Sequence, residues 1–528
     1  MPDRVAPAVP PAAGQPGPRL LFRPGDASAS RDEAGPPPGG IAAWAVDLRL
    51  DELAAALGPA DAGERRLRLL LAPLADADAV AYRQEVFRDL EVPSLGDAFR
   101  AFGAALAAVR AALDRAARMR HPAERDRWVL DALERHDAAL LALAQALGTG
   151  PVRSRGLAAV RDHLGSLTGS AAFARRRADA AQAHAALDGV AYRLRIGQGR
   201  VVVGPARDEP DLAAEIRATF ARLREHDPVP LRVDTFDALD MNPIEAEVLA
   251  RVVRLAPEPF ARLAAVVAAQ QPIVEPTMAA VEADAAWYLA VLDLLAPLRA
   301  AGLRCGYPAL ATDGSLVAEG LFDLALARRL VADGRGVETS DLALAPAERL
   351  VVVTGPGTGG RTSFARAVGQ LHVLAAAGCP VPAARATVPL AARVGTVFDR
   401  PERLQDPGGR LRTELRGVRA LLDAASPATL VVANEPFAST TAADALELTR
   451  RLLALLAGRG ARAVAVTFLE ELAEEPGVVS VAAVEAPDDP AARTYRFARR
   501  PADGLAHAQL LAARYGLDAE AIRSRVAP

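Results

Sequence analysis

The stretch RLVVVTGPGTGGRTSFARAVGQLHVLAAAGCPVPA, residues 349–383, constrains the fold more than any other part of the chain. Leucine and valines run into Thr354, glycines recur at 355, 357, 359 and 360, and apolar residues at helical spacing resume after Thr362. A chain can pass so abruptly from strand to helix only where the connecting residues accept unusual backbone angles, and glycine does so at little steric cost. Such a turn aims backbone N–H groups and the positive end of the following helix into one space, which suits phosphate. The spacing is that of the Walker A phosphate loop, G-x-x-x-x-G-K-[ST], and Gly355, Pro356, Gly357, Thr358, Gly359, Gly360, Arg361, Thr362 and Ser363 are its expected nucleotide contacts. Arg361 stands where lysine is expected. The chain contains no lysine, so all 62 basic residues are arginine and this replacement follows a chain-wide drift. A planar guanidinium is nevertheless bulkier than an ammonium and does not fit the same nest of amides without displacing something. The alternative reading of the stretch is a glycine-rich strand-to-helix turn with no ligand.

A phosphate loop that performs chemistry needs a carboxylate at the end of a neighbouring apolar strand, for Mg²⁺ and for orienting water. TLVVANEP, residues 429–436, meets this in part: Asn434 and Glu435 occupy the place of an acidic pair. Glu435 is the expected catalytic carboxylate. Thr362 and Asn434 are the expected Mg²⁺ ligands, and a neutral amide binds that cation more weakly than a carboxylate. ATP and Mg²⁺ are therefore the expected cofactors.

The remaining sequence suggests two to four domains in 528 residues. Residues 1–40 are rich in Pro, Gly and Ala and read as a disordered leader, with RLLF at 19–22 as a segment that could dock on the body. Residues 41–300 read as a helical lever or core region. SLGDAFRAFGAALAAVRAALDRAARMR and ERDRWVLDALERHDAALLALAQAL carry apolar stripes near period 3.6, VAYRLRIGQGRVVVG reads as a strand pair, and a further helix is expected over 211–226. Residues 301–528 read as an α/β ATPase domain with a largely parallel sheet, because β-rich runs at 349–354, 429–434, 462–467, 478–485 and 493–498 alternate with helices. HAQLLAARYGLDAEAIRSRV closes the chain as an expected helix-turn-helix.

No apolar run reaches the roughly 18 residues of a membrane span, and no secretory signal opens the chain, so a cytoplasmic protein without membrane contact is expected. Cys305 and Cys379 read as packing residues, and the seven histidines show no metal-ligand spacing. A net charge of −3 advertises no nucleic-acid binder, so any DNA contact falls to local patches, Arg175–Arg177 and the arginines between 115 and 127.

These motifs together resemble the MutS family of DNA mismatch repair proteins, in a shortened form without the mismatch-reading domain. The resemblance rests on TGPGTGGRTS, on GCPVPA (378–383), on TLVVANEPFASTT, on YPAL (307–310), on AYRQEVFRDLE (81–91) and on the carboxy-terminal YGLDAEAIRSR, and it covers the chain from about residue 45 onward. It implies an ABC/MutS-type ATPase domain, a homodimer, and association with duplex or branched DNA without base specificity, in repair or recombination. The departures are as informative. Besides Arg361 and Asn434, the family's signature serine falls near Gly408–Arg410, where no serine exists, and its strand-closing histidine corresponds to Phe468. Slow or absent ATP hydrolysis is the expectation. The alternative is a pseudo-ATPase scaffold with a degenerate nucleotide site.

Overall fold

The computed structural model describes residues 17–24, 26, 41–74, 76–197, 200–206, 241–355, 360–399, 409–486, 489–502, 515, 523 and 525. Most of the leader expected over 1–40, the helix expected over 211–226 and nearly all of the carboxy-terminal helix-turn-helix lie outside these residues. The chain divides into two compact units: Met1–Arg19, Val92–Val152 and Leu157–Ala285 form the first, and Leu20–Glu91, Arg153–Gly156 and Ala286–Pro528 the second.

In chain order the second unit begins with α1 (Ala43–Asp47), α2 (Ala54–Leu57), α3 (Ala60–Leu71) and α4 (Ala77–Leu90). Asp76 starts α4 by accepting the Ala79 N–H at 2.8 Å, as an N-cap carboxylate does. The next elements are α5 (Pro93–Arg118), α6 (Pro122–Thr149), α7 (Arg155–Thr168), α8 (Ala171–Asp188), the antiparallel pair β1 (Tyr192–Gly197) and β2 (Arg200–Pro205), α9 (Pro243–Leu255) and α10 (Pro257–Ala269). They belong to the first unit, apart from the opening residues of α7, and α11 (Pro276–Ala300) is divided between the units at Ala285. Proline opens α5, α6, α9 and α10, at a position where its missing N–H breaks no helical bond. The long periodic runs foreseen in the sequence are α5 and α6. Val109, Leu130, Leu133, Ala180, Ala183 and Leu263 from α5, α6, α8 and α10 share one core, as stripes at helical spacing require.

The second unit continues with β3 (Ala309–Ala311), β4 (Leu316–Leu321), α12 (Leu324–Ala332), β5 (Ser340–Leu344), β6 (Leu350–Thr354), α13 (Arg361–Ala376), β7 (Arg385–Pro389), β8 (Arg393–Phe398), α14 (Arg410–Asp423), β9 (Thr429–Asn434), α15 (Ala442–Gly458), β10 (Arg462–Val466), β11 (Val478–Ala486) and β12 (Asp489–Arg499). Six strands form one sheet in the order β12-β11-β6-β10-β9-β8, parallel throughout except for β12 at one edge. The central strands β6 and β10 are buried along their whole length, the condition under which parallel strands read as unbroken Val, Leu and Ala. All five β-rich runs named above lie in this sheet. β8 and the four-stranded sheet β3-β7-β4-β5 were not foreseen.

Two of the quoted motifs meet in space. Gly306, just before YPAL, donates its N–H to Ala383 O at 2.8 Å and accepts from Val381 N–H at 2.8 Å, so the chain preceding β3 is laced to GCPVPA. Gly378 opens that motif at φ +76°, and a Cβ there would come within 2.9 Å of Arg83 Cβ, so glycine is required on both counts. RLLF docks as expected: Leu20, Leu21 and Phe22 are buried. Arg83, itself buried, donates Nε to Leu21 O (3.1 Å) and Nη1 to Ala377 O (3.0 Å), with its guanidinium 5.2 Å from the Trp287 ring. Phe87 and Tyr288 complete an aromatic group around Trp287, whose Nε1 donates to Arg66 O at 3.1 Å. Cys305 and Cys379 are buried, and burial raises their thiols to about 11 and about 12, in keeping with packing roles. Among the described residues no helix is long and apolar enough to cross a membrane.

Candidate functional site

In an open parallel sheet, polar residues at the carboxyl ends of adjacent strands face one crevice. Here β6, β10 and β9 are consecutive neighbours, so the residues just past Thr354, Val466 and Asn434 converge. Helix α13 starts beyond β6 at Gly360, which takes the left-handed φ +92° that a sharp entry to the helix demands. Pro356, Gly357, Thr358 and Gly359 lie outside the described residues.

Arg361 does not reach out of the site. It is 6% exposed, its Nη2 lies 2.9 Å from Glu435 Oε1, and its Nη1 donates to Thr467 O at 2.6 Å. Burial pushes the Glu435 carboxyl above the usual carboxylate range, while Arg361 and the Phe468 backbone N–H pull it back. Burial likewise lowers the Arg361 guanidinium, and Glu435 opposes that. The two groups each offset the dehydration of the other, and removing either leaves a charge without its partner in a half-buried place.

Beside this pair, Thr362 Oγ1 donates to Asn434 Oδ1 at 2.7 Å. The two residues expected to share a cation thus sit in direct contact, and neither carries charge. Thr354 Oγ1 and Arg361 Nε are buried without a hydrogen-bond partner among the described residues. Phe468, in the place of the family's histidine, is 59% exposed and brings no polar side chain. Gly409 precedes α14, and Arg410 pairs with Asp399; Gly408 lies outside the described residues. Ser363 is partly buried on the first turn of α13.

Two participants escaped sequence reasoning. The Thr467 carbonyl is backbone and has no residue-type signal. Glu414 on α14 accepts the Phe437 N–H at 2.7 Å, and within RTELRG it looks like any charge on a helix face.

The arginines singled out for DNA divide by environment. Arg176 pairs with buried Asp137, Arg125 with Asp126 and Arg127 with Asp131, while Arg115 lies 4.9 Å over the Trp128 ring. Arg175 and Arg177 are exposed on α8. Asp131, Glu134 and His184 gather although their spacing gives no hint of it, yet Arg127 already pairs with Asp131 and His184 lies 3.2 Å from Glu134 and 3.5 Å from Asp188, so the group reads as a set of mutually partnered polar side chains.

By fold and site, the second unit is an α/β domain whose polar residues meet at the carboxyl ends of three neighbouring parallel strands. Residues 351–509 match the family described as MutS domain V. The chain is 33% identical over 201 residues to the DNA mismatch repair protein MutS of Synechococcus sp., covering 37% of this chain and 22% of that protein. It is 28% identical over 189 residues to the MutS of Chlorobium phaeobacteroides, covering 35% and 22%. It is 31% identical over 144 residues to the Endonuclease MutS2 of Anaeromyxobacter sp., covering 27% and 18%. Residues 351–509 are thus similar to MutS domain V, and the chain aligns with about a fifth of the length of these curated relatives.

Proposed function

We propose that the chain is an ATP-binding, DNA-associated MutS-type protein in DNA repair or recombination, with a P-loop whose hydrolysis is slow because Arg361 is engaged by Glu435. The observation that carries this reading is the 2.9 Å contact between Arg361 Nη2 and Glu435 Oε1. The residues fit a nucleotide: two buried polar atoms, Thr354 Oγ1 and Arg361 Nε, lack partners among the described residues, and oxygens of Thr362 and Asn434 converge as a cation would require. Bound Mg-ATP would bring its phosphoanhydride to residues 355–363, with Thr362 and Asn434 holding the cation. Glu435 is the group that would accept a proton from water, and while paired with Arg361 it is a poor base. Asn434 adds no negative charge, so cation binding is weak.

The test is equilibrium nucleotide binding with and without Mg²⁺, beside a turnover assay. ATP binding is expected to be measurable, to change less than about tenfold, or about 1.4 kcal/mol, when Mg²⁺ is chelated, and to be accompanied by turnover no faster than that of Glu435→Ala. Robust wild-type turnover that Glu435→Ala abolishes would overturn the reading. The second reading, a pseudo-ATPase scaffold, is favoured by the mutual satisfaction of Thr362 with Asn434 and Arg361 with Glu435. Absence of nucleotide binding even in Arg361→Lys, Asn434→Asp would decide for it.

The protein is proposed to be a homodimer, which sedimentation of the full chain checks; a monomer at tens of micromolar would exclude it. For DNA, affinity indifferent to sequence and mismatch is expected, falling log-linearly with salt. Replacing exposed Arg175 and Arg177 with Ala should lower the salt slope by about 2, roughly one per phosphate contact. Arg176 is left in place, since its loss would strand buried Asp137. A slope that the double substitution leaves unchanged would exclude these arginines as phosphate contacts.

A further inference from the structure

We infer that Glu414 is a positioning residue for Glu435: its carboxylate anchors the turn from which Glu435 projects. The inference rests on the reading of Glu435 as the water-orienting carboxylate. β9 ends at Asn434 and the chain goes on through Glu435, Pro436 and Phe437, and both Glu435 and Phe437 take left-handed backbone angles, φ +49° and +60°. Residues with a Cβ avoid that region and remain there only when their surroundings hold them. Within the turn, Ala438 N–H donates to Glu435 O at 3.3 Å and Thr440 N–H to Phe437 O at 3.2 Å, and the remaining holding contacts reach outside it. Glu435 N–H donates to Val466 O at 2.9 Å, which ties the start of the turn to the end of β10. Phe437 is 1% exposed, with its ring in the core that also contains Val418 and Leu422 of α14. Its N–H donates to Glu414 Oε1 at 2.7 Å, and Ser439 Oγ donates to Glu414 Oε2 at 3.5 Å.

Glu414 thus spans the far side of the turn with both oxygens, and it does so from partly buried surroundings that disfavour its charge. A charged acceptor makes a stronger bond to an amide than a neutral one does, which suits a turn that must be kept out of its relaxed geometry. Without that bond, Phe437 can return to negative φ, the turn rewinds, and the Glu435 carboxylate leaves the place where it now meets Arg361. Glu414 touches no reacting atom, so its effect passes entirely through the backbone of 435–437.

The test follows amide hydrogen exchange of residues 435–440 in the full chain, for wild type, Glu414→Ala and Glu414→Gln. The Ala variant should speed exchange at Phe437 by about tenfold or more, the expected result of losing a bond to a charged acceptor, while protection in β6 and β10 is retained. The Gln variant keeps a carbonyl oxygen for the Phe437 N–H and should stay within about threefold of wild type. In the Arg361→Lys, Asn434→Asp background, Glu414→Ala should lower kcat about tenfold or more and leave KM within about twofold, as loss of alignment without loss of binding does. Unchanged exchange at Phe437 in the Ala variant would overturn the inference. So would exchange that rises equally across the whole second unit in both variants, or faster exchange at Phe437 with undiminished kcat. A background with no turnover at all would instead overturn the reading of Glu435, and the exchange data would still decide whether Glu414 anchors the turn.

Discussion

The double substitution Arg361→Lys, Asn434→Asp is expected to hydrolyse ATP on the order of 10²–10³ times faster than the natural chain, the usual worth of one restored electrostatic contact to a transition state. Two changes act together. Arg361 fills two roles at once, reaching Glu435 with one nitrogen and Thr467 O with another. A lysine has a single compact ammonium on a flexible stem and cannot reproduce that fork, so Glu435 regains its capacity to take a proton. Aspartate at 434 places a negative charge against Thr362 Oγ1, which now donates to a neutral amide at 2.7 Å. Steady-state phosphate release checks the prediction, and adding Glu435→Ala should return the rate to the natural level. A double variant no faster than the natural chain would mean that the Arg361–Glu435 pair does not limit turnover.

Trp287→Ala should destabilise the second unit by about 3–5 kcal/mol, the range for truncating a large buried aromatic. Trp287 is fully buried, stacks edge-on against Tyr288 at 5.0 Å, and lies 5.2 Å from the Arg83 guanidinium. Its removal opens a cavity, takes from the Arg66 carbonyl the Nε1 donor at 3.1 Å, and takes a cation–π partner from a buried arginine. Urea unfolding followed by circular dichroism measures the loss, and a midpoint that scarcely moves would show that the aromatic group is not a core. Trp287→Phe keeps most of the volume and should lose clearly less.

What the sequence disclosed depended on how far each signal reached. The strands β6, β9, β10 and β11 were readable because strands in a parallel sheet are rich in Val, Leu and Ala, a property of each segment alone. β8 was not, because RVGTVF carries a glycine and an arginine and its burial is only partial at the sheet edge. β3 is too short to show a period. Of the site, the proximity of Arg361, Thr362, Asn434 and Glu435 was readable as two stations of one motif. That Arg361 turns inward was not: its partners lie on other strands, and the choice between facing a phosphate and facing Glu435 is made by packing and dehydration, which no spacing encodes. The arginine patches were only partly legible for the same reason, since RRR reads alike whether its middle member is exposed or, as for Arg176, spoken for by Asp137.

The lacing of Arg83 to Ala377 O bears on the order in which the protein can be made. The two residues are 294 positions apart, and Leu20–Phe22 enter the same neighbourhood from still earlier in the chain. A ribosome adding about 5–20 residues per second needs roughly 15–60 s to bridge such a gap. Throughout that interval Arg83 lacks the Ala377 carbonyl, and Phe87 lacks the Trp287 and Tyr288 rings that pack against it in the finished protein. Cutting the chain at the apparent start of the α/β region therefore separates two parts of one compact unit.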